Sequence, residues 1–165
     1  MTAVVSHENE LLLNTVQCFL NDEIYPHEDA VDRSGEVPLE LGRQIEARAK
    51  QMGLFAANLP EDVGGGGLNY TSSAIVEREY GKTTHALQSW IARPTELLLA
   101  CEGDQIARYL DPCVTGEKRE LFALTEPEAG SDVMGMKTNA KRDGRDWILN
   151  GSKHFISGPV MKCLE

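Results

Sequence analysis

A segment whose residue types could bind a ligand lies in the last third of the chain, where residues 121–132 read LFALTEPEAGSD. Its apolar start predicts a buried strand, and the remainder predicts a loop that exposes Thr125, Gly130 and Ser131. Backbone N–H groups and two hydroxyls in such a loop can face an anionic or heteroaromatic ligand. The segment therefore predicts a ligand site where a strand ends.

A second chemical pattern lies in residues 153–157, which read KHFIS and are predicted to form a strand. Successive side chains of a strand point to opposite faces, so Phe155 and Ser157 are expected on one face and His154 and Ile156 on the other. An aromatic ring beside a hydroxyl could cover a flat heterocycle and hydrogen-bond to it.

The glycine run over residues 64–67 and the four cysteines suggest no further chemistry. No strand is predicted before the glycines, and neither a following Gly-Lys-Ser/Thr nor a Gly-x-Gly-x-x-Gly pattern is present, so a structural turn is predicted instead of a phosphate loop. The cysteines form no Cys-x-x-Cys pair and have no histidine at zinc-ligand spacing, so no metal site is predicted.

Helices are predicted before the two chemical segments. Apolar spacing predicts a helix over residues 6–25, with Ser6 as its N-cap and Pro26 as its end. A second helix is predicted to begin at Pro38 and to stop at Gly53. Further helices are predicted over residues 71–80, 86–101 and 104–110, with Pro94 starting or kinking a helix inside the second of these.

Beyond about residue 117 the helical spacing gives way to short β-prone runs separated by turn dipeptides. The runs are residues 121–125, 139–142, 146–149 and 153–157, and the hairpin-type turns between the last three are Asp143-Gly144 and Asn150-Gly151. The chain is therefore predicted to be α+β, with an N-terminal all-α helical bundle domain over residues 1–117 followed by the beginning of an antiparallel β domain over residues 118–165. The β domain is expected to be incomplete, because its strands leave unpaired edges.

Composition excludes several functional classes. Of the 165 residues 41% are apolar, which is enough for a core, and 16 Lys and Arg stand against 26 Asp and Glu, giving a net charge of −10. Without a basic patch, neither nucleic acid nor an anionic membrane is a predicted partner. The longest apolar runs are too short to span a bilayer, and the first ten residues carry no targeting pattern, so a cytoplasmic location is predicted.

Two longer motifs resemble the acyl-CoA dehydrogenases, flavoproteins that oxidise acyl-CoA thioesters to 2-enoyl-CoA in fatty acid β-oxidation. The first is LTEPEAGSD at residues 124–132, followed by Lys137-Thr138, and the second is LNGSKHFIS at residues 149–157. Weaker similarity lies in MGL at residues 52–54 and in PEDVGG at residues 60–65. Two long motifs at the family's mutual spacing make a chance resemblance improbable.

The resemblance implies FAD as the cofactor. It places residues 122–131 along the flavin, with Leu124 and Thr125 at the isoalloxazine and Gly130 and Ser131 nearer the pyrophosphate. The triplet 155–157 is similar to one that covers the flavin ring and reaches N5 with its hydroxyl, although the family more commonly has Trp-x-Thr there. The implied cofactor-binding residues are Phe122, Leu124, Thr125, Gly130, Ser131, Phe155, Ile156 and Ser157.

The resemblance also implies residues that contact the substrate. The predicted helix around residues 86–100 is similar to one that lines the acyl cavity, and helical spacing would place Gln88, Ala92 and Glu96 on one face of it. Ser131 matches a position that touches the CoA arm. Arg93 could contact a polar substrate, but an arginine on a helix is more often salt-bridged or solvated.

No catalytic base is assigned to this chain. In the family, a glutamate abstracts the α proton while the β hydrogen leaves as hydride to flavin N5, and that glutamate belongs to a C-terminal helical domain that would follow Glu165. Glu126 and Glu128 are interpreted as structural. The chain is therefore expected to be inactive alone, as a fragment of a longer protein, a truncated product, or a subunit completed by another chain.

Two functions of different classes remain open from the sequence. The first is part of an FAD-dependent acyl-CoA dehydrogenase that passes electrons to an electron-transfer flavoprotein and forms a homo-oligomer at full length. The second is a non-catalytic flavin- or CoA-binding or interaction module that needs a partner chain. An acyl-CoA oxidase shares the same architecture, and neither the electron acceptor nor the acyl chain is specified by the sequence.

Overall fold

The computed structural model describes residues 6–156, which fall into two compact units, Met1–Arg119 and Glu120–Glu165. Within the described residues the first unit is helical, and the second contains a two-stranded antiparallel sheet. The predicted order, helices first and antiparallel strands after them, is confirmed.

The first unit contains six α-helices and four shorter helical segments among its described residues. The α-helices are α1 (His7–Phe19), α2 (Tyr25–Ser34), α3 (Leu39–Gln51), α4 (Tyr70–Tyr80), α5 (His85–Gln88) and α6 (Asp111–Thr115). Two π-helical turns cover Leu20–Ile24 and Ile106–Leu110, and two 3₁₀ turns cover Glu61–Val63 and Glu96–Ala100.

Most helix ends follow from local capping chemistry. The Ser6 hydroxyl accepts a hydrogen bond from the backbone N–H of Asn9 at 3.2 Å, so Ser6 is the predicted N-cap of α1. Helix α3 begins after Pro38 and ends just before Gly53, whose φ of +69° stops it. The sequence predictions for these boundaries and for α4 are confirmed.

The prediction that Pro26 ends the first helix is wrong. Proline lacks the N–H that would donate to the carbonyl four residues earlier, and the helix absorbs this loss in the π turn before it. The N–H of Tyr25 donates to the carbonyl of Leu20, five residues back, and α2 then continues to Ser34. The same solution recurs before Pro112, where Asp111 donates to Ile106, so helical structure extends past the predicted end at Leu110.

The core of the first unit is apolar and draws on every part of its chain. Fully buried side chains come from the end of α1, the π turn after it, α3, the stretch after α3, α4, α5 and the stretch after α5; the largest are Tyr80, Phe19, Leu20, Ile24, Ile45, Leu54, Leu59, Leu87 and Ile91. Their burial is the main source of stability for this unit.

One carboxylate is buried in that core. Glu79 on α4 is only 1% exposed. It accepts hydrogen bonds from Lys82 at 2.5 Å and from Gln17 of α1 at 3.2 Å, and it pairs with Arg78 at 2.9 Å. The Lys82 ammonium is the main cause that lowers the pKa of Glu79, so the carboxylate stays charged and joins α4 to α1.

The glycine run over residues 64–67 is a structural turn, as predicted. Its N–H groups return to the preceding stretch, with Gly65 donating to Pro60 at 2.9 Å, Gly66 to Ala56 at 3.2 Å and Gly67 to Leu59 at 2.8 Å. A Cβ added at Gly65 would lie 2.2 Å from the Leu59 carbonyl oxygen. The glycines therefore allow two backbone stretches to touch, and these three N–H groups are not available to a phosphate.

In the second unit the hairpin is the regular element. Strands β1 (Asn139–Asp143) and β2 (Asp146–Asn150) pair in antiparallel register, with Lys141 opposite Ile148. The connecting loop begins with Gly144 at φ +61°, which an Asp-Gly hairpin requires. The prediction of this hairpin is confirmed. Within residues 6–156 no helix is both long and apolar enough to cross a membrane.

We expect Gly65→Ala to destabilise the first unit by about 1–3 kcal/mol, because the new methyl group would collide with backbone that cannot move alone. Urea unfolding followed by far-ultraviolet circular dichroism measures this loss, since the α-helices of the described chain lie in the first unit. Gly81→Ala is the control, because Gly81 has φ −62° and a Cβ there would come no closer than 3.3 Å to any neighbour. Equal unfolding free energies for the two variants would contradict the close-approach role of Gly65.

Candidate functional site

The two segments that the sequence marked for chemistry lie side by side in the second unit. The backbone N–H of His154 donates to the carbonyl of Thr125 at 2.8 Å, and the Lys153 ammonium donates to the carbonyl of Leu124 at 2.8 Å. These two contacts join positions 29 residues apart in the chain. The structure therefore brings the predicted ligand loop next to Lys153 and His154, which directly precede the triplet 155–157.

Neither segment is the strand that the sequence predicted. Residues 121–125 are irregular, because among the described residues only the carbonyls of Leu124 and Thr125 bond to another stretch, too few for a ladder. They lead into a tight turn around Pro127, in which Glu126 and Ala129 exchange hydrogen bonds of 3.0 and 3.2 Å. The predicted strand over residues 121–125 is therefore wrong.

The final segment departs from strand geometry at one residue. Phe155 has φ +57°, in the left-handed region that non-glycine residues rarely adopt. Described residues 151–156 contain no strand, so the predicted alternation of Phe155 with His154 and Ile156 is wrong. Ser157, the predicted partner of Phe155 on one face, lies outside the described residues.

Glu126 organises the region around these segments. Its carboxylate accepts hydrogen bonds from the N–H groups of Lys137 at 2.7 Å and Thr138 at 3.0 Å, and from the Lys153 ammonium at 2.9 Å. The residue is only 7% exposed. These contacts give Glu126 a structural role in this unit, and the interpretation that it is not a base stays a prediction.

These contacts keep the carboxylate ionised. Thr138, the Lys137 N–H and the Lys153 ammonium lower the pKa of Glu126 from 4.5 to about 2, and burial opposes them only in part. Glu128, two residues away, instead forms an exposed pair with Lys137. One glutamate of the motif is therefore a buried anchor, and the other lies on the surface.

The predicted cofactor residues present a surface to solvent. Phe155 is 87% exposed, Phe122 and Ser131 are exposed, and Leu124 and Thr125 are half-buried. Gly130 has no neighbour within 4 Å of where a Cβ would stand. An exposed ring beside open backbone is an arrangement to which a flat, polar-edged ligand can bind.

Several hydrogen-bond donors on this surface have no acceptor among the described residues. Across residues 6–156, the backbone N–H groups and hydroxyls of Thr125 and Ser131 donate to no protein acceptor, and neither does the N–H of Gly130. Ile156 is half-buried beside Phe155. The free donors fit a cofactor that carries ring heteroatoms and phosphates, which is the kind the resemblance implied.

The predicted substrate residues of the first unit lie on no common helix. Helix α5 ends at Gln88, and Pro94 separates Ala92 from Glu96, which starts a 3₁₀ turn. Proline has no N–H to donate within a helix and restricts the backbone of the residue before it. The predicted helix over residues 86–101 is therefore wrong, and so is the predicted common face of Gln88, Ala92 and Glu96.

Side chains near these positions already have structural partners. The Gln88 amide is buried and donates to the carbonyls of Tyr80 at 2.5 Å and Thr83 at 3.0 Å. Arg93 pairs with Glu77 and lies over the Tyr80 ring at 5.3 Å, so its expected salt-bridged role is confirmed. Glu96 is exposed, and the carbonyl of Ala92 accepts from the N–H of Ala56 at 2.9 Å.

Sequence reasoning did not identify Lys153 and Thr138 as partners of Glu126. Lys153 is 27 residues from Glu126 and lies within the second motif, and Thr138 follows the first motif by six residues. The only signal in the sequence is that Lys153 lies inside the second motif and that Thr138 lies shortly after the first. Local pattern does not reveal which side chains of two irregular segments meet.

We expect the amide signals of Lys137 and Thr138 to titrate with a midpoint near pH 2, because both N–H groups bind the Glu126 carboxylate. The folded pKa lies below the ordinary value, so the stabilisation is fully present above pH 4.5 and is lost as the pH falls toward 2. Two-dimensional NMR across this range measures the midpoint. Glu126→Gln is the control, because it removes the titrating group; a wild-type midpoint near 4.5 would contradict the anchored carboxylate.

Comparison with family models accounts for nearly the whole chain. Residues 6–117 match the acyl-CoA dehydrogenase N-terminal domain, and residues 121–161 match the acyl-CoA dehydrogenase middle domain. The second match contains the two segments that meet at Thr125 and His154.

Individual proteins give the same result. The long-chain specific mitochondrial acyl-CoA dehydrogenase of Sus scrofa is 37% identical over 159 residues, covering 93% of this chain and 36% of that protein. The caffeyl-CoA reductase-Etf complex subunit CarC of Acetobacterium woodii is 35% identical over 158 residues, covering 92% and 41%. A crystal structure of an acyl-CoA dehydrogenase complexed with FAD from Bacillus anthracis has a TM-score of 0.75 at 28% identity, covering 94% and 27%.

This chain spans well under half the length of each of these proteins. The match of two successive domain models, together with the shared helical and β architecture, shows that the chain belongs to the acyl-CoA dehydrogenase family.

Proposed function

We propose that this chain forms part of an FAD-dependent acyl-CoA dehydrogenase that oxidises an acyl-CoA thioester to 2-enoyl-CoA. The observation that carries the proposal is the contact between Thr125 and His154, which joins the two motif segments into one exposed surface. The similarity to a solved acyl-CoA dehydrogenase complexed with FAD supports the choice of cofactor. In this proposal residues 1–117 and 118–165 form the helical and β domains.

The residues proposed to hold FAD divide by chemistry. Thr125, Gly130 and Ser131 would donate hydrogen bonds, and Phe155 would cover the flat ring with its exposed face. Leu124, Ile156 and Phe122 would give apolar contact, and Ser157 would add a hydroxyl. Bound FAD would supply an acceptor, at flavin N5, for the hydride that leaves the β carbon of the thioester.

On the substrate side, the proposal assigns Ser131 to the CoA arm and Gln88, Ala92 and Glu96 to the acyl group. The Gln88 amide already serves two carbonyls, so Gln88 would shape the site without donating to the substrate. Glu96 is exposed and available. No residue of this chain is assigned as the base that removes the α proton.

An electron-transfer flavoprotein is the proposed electron acceptor. Its support is the similarity to CarC, which is named as a subunit of a caffeyl-CoA reductase-Etf complex. Assembly as a homo-oligomer at full length is part of the same proposal.

The test is a titration of the purified 165-residue chain with FAD, followed by visible absorption, and then anaerobic addition of octanoyl-CoA. We expect the flavin spectrum to shift on binding. Bleaching after thioester addition would indicate a complete site, and binding without bleaching would indicate a cofactor module that lacks the base. A flavin spectrum identical to that of free FAD at every chain concentration would contradict the cofactor proposal.

Thr125→Val tests a single donor on the proposed surface. We expect FAD to bind roughly fivefold more weakly, since a hydrogen bond contributes about 1 kcal/mol net. Thr71→Val is the matched control, because Thr71 is an exposed residue of α4 in the other unit. If both variants bind FAD as tightly as the wild type does, Thr125 is not a cofactor ligand.

A further inference from the structure

The Lys153 ammonium is held in place by contacts with the loop that contains several of the proposed flavin-binding residues. It donates to the Leu124 carbonyl at 2.8 Å and to the Glu126 carboxylate at 2.9 Å, and it lies 3.5 Å from the Met136 sulfur. Its side chain is only 24% exposed. A lysine with this many partners is ordered, unlike one on an open surface.

The Glu126 carboxylate, which pairs with Lys153, also binds a third stretch of chain. Glu126 also accepts from the N–H groups of Lys137 and Thr138. Close by, Gly151 is packed so tightly on Thr138 that an added Cβ would lie 2.1 Å from the Thr138 hydroxyl. Residues 151–154 therefore contact the rest of the unit at three successive points, through Gly151, Lys153 and His154.

Phe155 follows directly after these three contacts. Its ring is 87% exposed and its φ is +57°, so neither burial nor an intrinsic backbone preference holds it in place. The His154 ring lies 4.8 Å from it, centroid to centroid. Among the described residues, Lys153 and His154 are the anchored positions nearest to Phe155, so they fix the point of the backbone from which its side chain projects.

We propose that Glu126 and Lys153 are a positioning pair, which sets the Phe155 ring at a fixed place relative to Thr125 so that the cofactor meets a preformed surface. This inference rests on the proposed function. The pair is electrically balanced, so its role is geometric and it adds no net charge to the surface. Neither side chain is assigned contact with the cofactor.

The test compares the FAD affinity of Lys153→Met and Glu126→Gln with that of two control variants, Lys137→Met and Glu128→Gln, which remove the charges of the exposed Lys137–Glu128 pair. The control side chains are 73% and 70% exposed and form the same kind of ion pair. We expect Lys153→Met to bind FAD about tenfold more weakly than the wild type does. The FAD affinity of either control should differ from that of the wild type by no more than about twofold. Equal affinities across all variants would overturn the proposal.

The double variant Glu126→Gln with Lys153→Met separates positioning from simple charge balance. It leaves no uncompensated buried charge, so unfolding stability should recover relative to Lys153→Met. If the pair positions Phe155, FAD binding stays weak although stability returns. Recovery of FAD binding together with stability would show that the pair has only a structural role.

Amide hydrogen exchange tests the positioning without any cofactor. In Lys153→Met we expect the His154 and Thr138 amides to exchange at least about tenfold faster, while amides paired between β1 and β2 keep their rates. Unchanged exchange at His154 would overturn the proposal. If wild-type chain binds no FAD, the proposed function fails for this chain, and the exchange result still decides whether the pair holds these segments together.

Discussion

The buried carboxylate of Glu126 is the interaction on which the second unit depends. Among the described residues of that unit only Glu126 and Ala129 are buried, and both strands of the hairpin are exposed along their whole length. Apolar burial therefore contributes little to the order of residues 120–156. A charge removed from water is tolerated only when several donors replace the water, and here two N–H groups and an ammonium do so. The two stretches that supply those donors, around residues 137–138 and at Lys153, are consequently held against the stretch that contains Glu126.

The first unit reaches order by the opposite route, with an apolar core and one carboxylate set within it. Glu79 is satisfied by Lys82 and Arg78 of its own neighbourhood and by Gln17 of α1. Removing the charge from Glu79 would leave a large apolar core in place. The described part of the second unit has no comparable apolar core that would remain if the charge of Glu126 were removed. Both units thus contain a buried, hydrogen-bonded glutamate carboxylate. Only in the second unit do the contacts of that carboxylate take the place of an apolar core.

The parts of the fold that were predictable are those decided within a few residues. The cap at Ser6, the stop at Gly53 and the turn at Gly144 depend on local chemistry, and all three were predicted. Pro26 and Pro112 show the limit of that reasoning. A proline removes one N–H, but a helix can continue past it through a π turn when burial of the flanking apolar residues offsets the cost of that turn. Leu20, Ile24 and Leu110 are buried, and helical structure continues past both prolines. Similarly, Gln88, Ala92 and Glu96 do not share a helix face, because the helix does not continue through Pro94.

The candidate site shows the same division between local and distant causes. Sequence motifs identified both segments and the aromatic residue, because residue types carry that information. They did not predict the conformation of Phe155, whose left-handed backbone comes directly after Lys153 and His154, two residues that contact positions 29 residues earlier in the chain. Alternation along a strand assumes that each residue takes the same extended step. Phe155, at φ +57°, breaks that assumption, so counting residues along a strand does not predict the direction of its side chain.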